Sequence, residues 1–123
     1  MTYKLIFEER PEYLYGYVEG VEYSPEICIQ LWKEIFTKAG ELGYKKVLIR
    51  QNIQESLTPL EVLEVSEHWA DNDYDSFVTA FVDDVPHQKD INMLGEVMAR
   101  GADVNIRVFY TVDKAEQWLV NEK

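Results

Sequence analysis

Two carboxylates and an imidazole stand close together in the run Asp83-Asp84-x-x-His87. A carboxylate beside an imidazole can relay protons or hold a divalent metal. The second histidine, His68, lies in a separate helical stretch with no evident route to this cluster. The favoured reading is therefore structural, with Asp84 capping a helix and His87 in its first turn. No catalytic residue, metal ligand or cofactor is assigned.

Other side chains invite chemistry less directly. Ser56 and Thr58 are the hydroxyls ahead of a helix start, where backbone amides and the helix dipole favour a phosphate. Thr58-Pro59-Leu60-Glu61, however, reads as a capping box with proline at the first helical position. Glu55 and Glu61 would also repel added charge. Asp71, Asp73 and Asp75 mimic the opening of a calcium loop, but Ser76 stands where glycine is needed and Val82 where a bidentate glutamate is needed. Calcium is rejected. Cys28 is the one cysteine, so no intrachain disulfide can form, and it reads as a small core residue.

Tyr13, Tyr15 and Tyr17 alternate on one strand face. With Phe36 and Ile29 on the first helix they could line an apolar pocket or a homodimer patch. Core packing is the favoured alternative. From Gln51 to Gln88 there is no lysine or arginine, while nine acidic residues fall there. Such a face suits a basic partner, but it also serves simply to solvate the fold.

These residues are positioned by alternating strands and helices. Tyr3–Glu9 and Tyr13–Glu19 read as an antiparallel hairpin about the turn Arg10-Pro11-Glu12. Ser24-Pro25 starts a helix that buries Cys28, Leu31, Trp32, Ile35, Ala39 and Leu42 and ends at Gly43. A strand over Lys45–Arg50 leads through the loop Gln51–Leu57 to the Thr58-Pro59 helix, whose inner stripe is Val62, Val65, Ser66 and Trp69. A strand over Ser76–Val82 precedes a helix opened by Pro86, with Ile91, Leu94, Gly95 and Met98 inward. There the small Gly95 suggests close approach to a sheet. Arg100-Gly101 stops that helix, Val104–Tyr110 is the last strand, and Asp113-x-x-Glu116 caps a final helix. The order ββαβαβαβα predicts a single α/β domain: a mainly parallel five-stranded sheet with an initial antiparallel hairpin, covered by four helices.

Composition agrees with a folded domain. The 123 residues are 46% hydrophobic and 28% charged, enough for a sizeable core. A net charge of −11 argues against nucleic acid and against an anionic membrane surface. No apolar run is long enough to span a bilayer, and MTYKLIFEERPEY has no basic segment followed by an apolar run. The expectation is a cytoplasmic protein.

Three pieces of the last third carry a family resemblance: Glu96-x-x-Ala99 with Arg100-Gly101, then Val104-x-Ile106-Arg107-Val108-Phe109, then Ala115-x-x-Trp118-Leu119. Together with the element order they resemble the STAS/SpoIIAA-like domain family. The resemblance implies a non-enzymatic interaction or regulatory module working through contact with a protein partner, basic or apolar. In some relatives it implies binding of a small apolar or anionic ligand. In that family a serine at the helix start after the third strand can act as a phosphorylation switch. Here the corresponding loop lacks the aspartate–serine pair and the glycine of the family pattern. The turn is accordingly read as a contact surface, through Gln51, Asn52, Ser56, Thr58 and Glu61. The alternative role is carriage or sensing of a small apolar or lipid-like ligand, through Tyr13, Tyr15, Tyr17 and Phe36.

Overall fold

The computed structural model describes residues 3–70, 72 and 74–122. Asp71 and Asp73, and with them the calcium-loop reading, lie outside the described residues. The chain forms β1 (Tyr3–Glu9), β2 (Leu14–Gly20), α1 (Pro25–Leu42), β3 (Lys46–Ile53) and α2 (Pro59–Ala70). β4 (Val78–Asp83), a 3₁₀ turn (Pro86–Gln88), α3 (Lys89–Gly101), β5 (Asn105–Phe109) and α4 (Val112–Asn121) complete it. The five strands lie in chain order, β1 and β2 antiparallel and every later pair parallel. This is the α/β architecture expected from the sequence.

Handedness explains the layering. Successive right-handed crossovers advancing in one direction deposit their helices on one face. The larger core accordingly joins α1, α2 and α3 to Val47, Ile49, Ile53 and Phe81. α4, which follows the last strand, covers the other face through Ala115 and Leu119 against Leu48, Ala80 and Val82. Strand alternation thus sends odd-numbered residues of β3 toward α1–α3 and Leu48 toward α4. At Gly16 of β2, between β1 and β3, an added Cβ would stand 2.7 Å from Ile49 Cδ1, so a larger residue there requires the Ile49 side chain to shift.

The helix signals are met at α1. Ser24 Oγ accepts from the Ile27 amide, and Gly43 closes the helix at φ 80°. Leu42, expected on the buried stripe, is instead 39% exposed, because it lies in the last turn beyond the sheet-covering segment.

Elsewhere the structure corrects the reading. β3 runs on to Ile53, since Gln51, Asn52 and Ile53 continue the parallel ladder opposite Val18, Glu19 and Gly20. Gln51 and Asn52 are therefore strand residues rather than loop residues. Pro86 opens a 3₁₀ turn, not the helix, and Asp84 caps nothing: its carboxylate pairs with Arg50 Nε at 3.0 Å. Asp83 Oδ1 instead accepts from the Val85 amide at 2.9 Å. Thr111, not Asp113, caps α4 by accepting from the Lys114 amide, and Glu116 is used to accept from the buried Tyr13 hydroxyl.

Candidate functional site

α3 contributes only Ala99 to the fully buried set, while its inward Ile91, Leu94 and Met98 stay partly buried. The reason lies at Gly95, where a Cβ would meet nothing within 4 Å. Gly95 thus faces space instead of touching the sheet, contrary to the close approach suggested by its size. That space is a cavity of about 70 Å³. Phe81 and Ile106 line it from the sheet, Cys28 and Trp32 from α1, and Val65 and Trp69 from α2. Gln51, Ser56, Leu57 and Gln88 line it as well, so it lies toward the carboxyl ends of the parallel strands. This is where open parallel sheets commonly receive ligands. A volume of this size holds several waters or a small molecule.

The lining is mainly apolar, and most of its polar groups are committed. The Tyr23 hydroxyl reaches Gln51 Oε1 at 3.5 Å, and burial raises the Tyr23 phenol well above its ordinary value. Asn92 Nδ2 donates to Asp83 Oδ2 at 2.8 Å. Glu96 Oε1 accepts from the Val108 amide at 2.9 Å, tying α3 to β5. Burial pushes the Cys28 thiol up to about 12, so it stays protonated at neutral pH and is a poor nucleophile. Trp69 belongs to the lining as well, and its indole Nε1–H is fully buried with no hydrogen-bond partner. Among the described residues Thr79 Oγ1 is also buried without a partner, but it lies outside the cavity wall. No lysine, arginine or histidine lines the cavity among the described residues.

One edge of the cavity is the turn between β3 and α2. Gln88, buried in the 3₁₀ turn, points its amide nitrogen at three carbonyls: Ile53 (2.9 Å), Gln54 (3.2 Å) and Glu55 (3.0 Å). From the other side, the Gln54 and Glu55 amides donate to Gly20 and Val21, and Glu55 Oε1 accepts from the Tyr23 amide. The capping box is complete, with Thr58 Oγ1 accepting from the Glu61 amide and Glu61 Oε1 from the Thr58 amide. Thr58→Ala should therefore cost about 0.5–2 kcal/mol in a urea unfolding titration. A loss indistinguishable from zero would mean that the box adds nothing to α2.

Of the contact residues read from the sequence, Ser56 and Thr58 are exposed, Glu61 and Asn52 are half-buried, and Gln51 is buried in the cavity wall. The second group is not assembled as one site. Tyr13 is buried under α4, and Tyr15 and Tyr17 lie half-buried on the same sheet face, with Arg10 over Tyr15 and Arg50 over Tyr17. Phe36 is on the opposite face, stacked with Phe77 at 4.8 Å. The sheet separates it from the three tyrosines.

The Asp83 region is held together by structural bonds. Burial raises the Asp83 carboxyl above its usual range, against the Asn92 and Val85 hydrogen bonds that pull it down. Among the described residues no group of three His, Cys, Asp or Glu is placed to hold a metal ion, and no helix is long and apolar enough to cross a membrane. The chain matches no protein-family model and no curated protein.

The residues that sequence reasoning missed are Tyr23, Phe81, Gln88 and Asn92, while Trp32 is read only as part of the buried stripe of α1. Trp69 and Gly95 were read as core packing. The one available signal was Gly95-Glu96, a glycine followed by an acid beside the inward stripe of an amphipathic helix.

Proposed function

We propose that the chain is a non-enzymatic, STAS-like regulatory module that takes up a small apolar ligand in the cavity beneath the β3–α2 turn. The observation that carries this reading is the apolar cavity itself, bounded by Trp32, Trp69 and Phe81 and left open by Gly95. The resemblance to STAS/SpoIIAA-like domains supports it. There the turn after the third strand is the regulatory surface, and here Ser56 and Leu57 of that turn are also cavity wall. A ligand that prefers one arrangement of this wall shifts the turn's population by its differential affinity alone.

Native mass spectrometry of gently purified protein tests the reading. The wild-type protein should carry a small co-purifying mass, and Gly95→Leu should lose it. Replacing a mid-helix glycine also favours the helix, so Gly95→Leu should unfold no more easily than the wild-type, with a gain of about 0.5–1 kcal/mol. A protein free of adduct, or an adduct equally abundant in Gly95→Leu, contradicts the proposal.

A second reading, contact of the same turn with a protein partner, is favoured by Leu60. This residue stands in the first turn of α2 and is 74% exposed, beside the exposed Ser56 and Thr58. Leu60→Asp leaves the capping box intact and should abolish capture of such a partner. Unchanged capture counts against this surface.

A further inference from the structure

We infer that the cavity selects a ligand carrying a neutral amide on an apolar body, such as a lactam, over ketones and ethers of the same shape. The inference rests on the ligand-binding reading above and specifies its chemistry. Two glutamines in the cavity wall, Gln51 on β3 and Gln88 in the 3₁₀ turn, are each 2% exposed. Each spends one end of its amide on the protein and leaves the other without a partner. The Gln88 nitrogen serves the carbonyls of Ile53, Gln54 and Glu55, which fixes its orientation and leaves Oε1 as an unused acceptor. At Gln51 the order is reversed. Its Oε1 takes the Tyr23 hydroxyl at 3.5 Å, and its Nε2 has no acceptor among the described residues.

Both atoms open on the cavity. Among the described residues the side-chain atoms sealed off without a partner are Trp69 Nε1 and Thr79 Oγ1, not these two, and the cavity is the space that both glutamines line. They stand at the same end of it, because Gln88 holds the carbonyl of Ile53, two residues beyond Gln51 on β3. The indole of Trp32, beside the Tyr23 hydroxyl, can only donate and adds no acceptor there. A ligand that satisfies this wall brings a donor for Gln88 and an acceptor for Gln51. An amide carries both on one carbonyl carbon and stays neutral, which suits a lining without lysine, arginine or histidine among the described residues. A ketone or ether answers Gln51 alone and shuts Gln88 Oε1 away from water unmet, which weakens binding.

The test follows the side-chain amide signals by two-dimensional ¹H–¹⁵N NMR, with 2-piperidinone and cyclohexanone as probes. The two rings share size and carbonyl, and only the lactam has an N–H. The Gln51 NH₂ pair is assigned by its loss in Gln51→Leu. The expected result is a saturable shift of that pair with both probes and about tenfold tighter binding of 2-piperidinone, as one further hydrogen bond predicts. Gln51→Leu should weaken both probes about tenfold and leave their ratio unchanged, since the ratio belongs to Gln88. That ratio is measured on the wild-type protein alone and needs no variant. Cyclohexanone binding as tightly as 2-piperidinone overturns the inference and leaves the ligand-binding reading standing. So does saturable binding of both probes that leaves the Gln51 pair unmoved. A spectrum perturbed by neither probe overturns the inference and the reading together.

Discussion

Trp32→Ala is expected to lose about 3–5 kcal/mol of stability, the range for truncating a buried tryptophan. Trp32 is 4% exposed at the middle of α1. Its ring lies 5.6 Å from Phe36, 6.0 Å from Phe81 and 6.4 Å, edge-on, from Trp69. It thus joins α1 to α2 and to the sheet through one aromatic cluster. Such pairs contribute about 0.5–1.5 kcal/mol beyond their buried area. The site cannot easily collapse after truncation, because it already borders a cavity, and the cost grows with the space left behind. Against a total domain stability of about 5–15 kcal/mol the change is severe. Trp118→Ala offers the contrast. Trp118 is half-buried on α4 and its main ring contact is Phe109 at 5.5 Å, so it should cost distinctly less. Urea titrations of the two variants check the order; equal losses would mean that the α1–α2 cluster is not the centre of the core.

Gln88→Met is expected to cost about 2–3 kcal/mol. Methionine keeps the length and volume of glutamine but brings no donor. The amide nitrogen of Gln88 has two protons and serves three carbonyls within 3.2 Å, so one contact is shared. Each buried acceptor left unmet costs about 1–3 kcal/mol, and water re-entering at the exposed Gln54 and Glu55 recovers part of it. Gln88→Glu should be worse above the carboxylate range, because it aims a charge at three carbonyl dipoles without a counterion. There the folded-state carboxyl is raised above its unfolded value, so that variant gains stability as pH falls. Hydrogen exchange at the β3–α2 turn reads the same bonds locally. Loss of protection confined to Gln54–Leu57 in Gln88→Met is the expected pattern, and unchanged protection would show that the clamp is not what orders the turn.

The fold was legible because its signals are local. Ser24-Pro25, Gly43 and Thr58-Pro59-x-Glu61 each state a helix boundary in side-chain chemistry, and the backbone bonds follow them. Boundaries set by pairing were not legible. β3 reaches Ile53 because Gly20 and Glu19 stand opposite, a fact that no window around Gln51 contains. The same holds for Asp84, whose partner Arg50 is on the neighbouring strand, and for Glu116, drawn away from a capping role by Tyr13.

The candidate site was less legible for a related reason. A cavity is a property of what several elements fail to fill. Gly95 on α3 and Trp69 on α2 each read correctly as inward-facing, and nothing in their spacing says that they do not meet. Gln88 likewise looked like an ordinary polar residue after Pro86, since its three acceptors lie more than thirty residues earlier. The tyrosines of β2 misled in the opposite direction. Their alternation correctly placed them on one face, but the assignment of Phe36 to that face required knowing on which side α1 crosses.

The central claim, that Gly95 leaves a ligand-accepting apolar cavity beneath the β3–α2 turn, is tested most directly by crystals of wild-type and Gly95→Leu protein pressurised with xenon. An apolar cavity takes up xenon where a filled core does not. The account predicts a xenon peak among Trp69, Phe81 and Gly95 in the wild-type crystals and none at that place in Gly95→Leu. A wild-type core with no xenon there, its α3 closed onto the sheet, would contradict it.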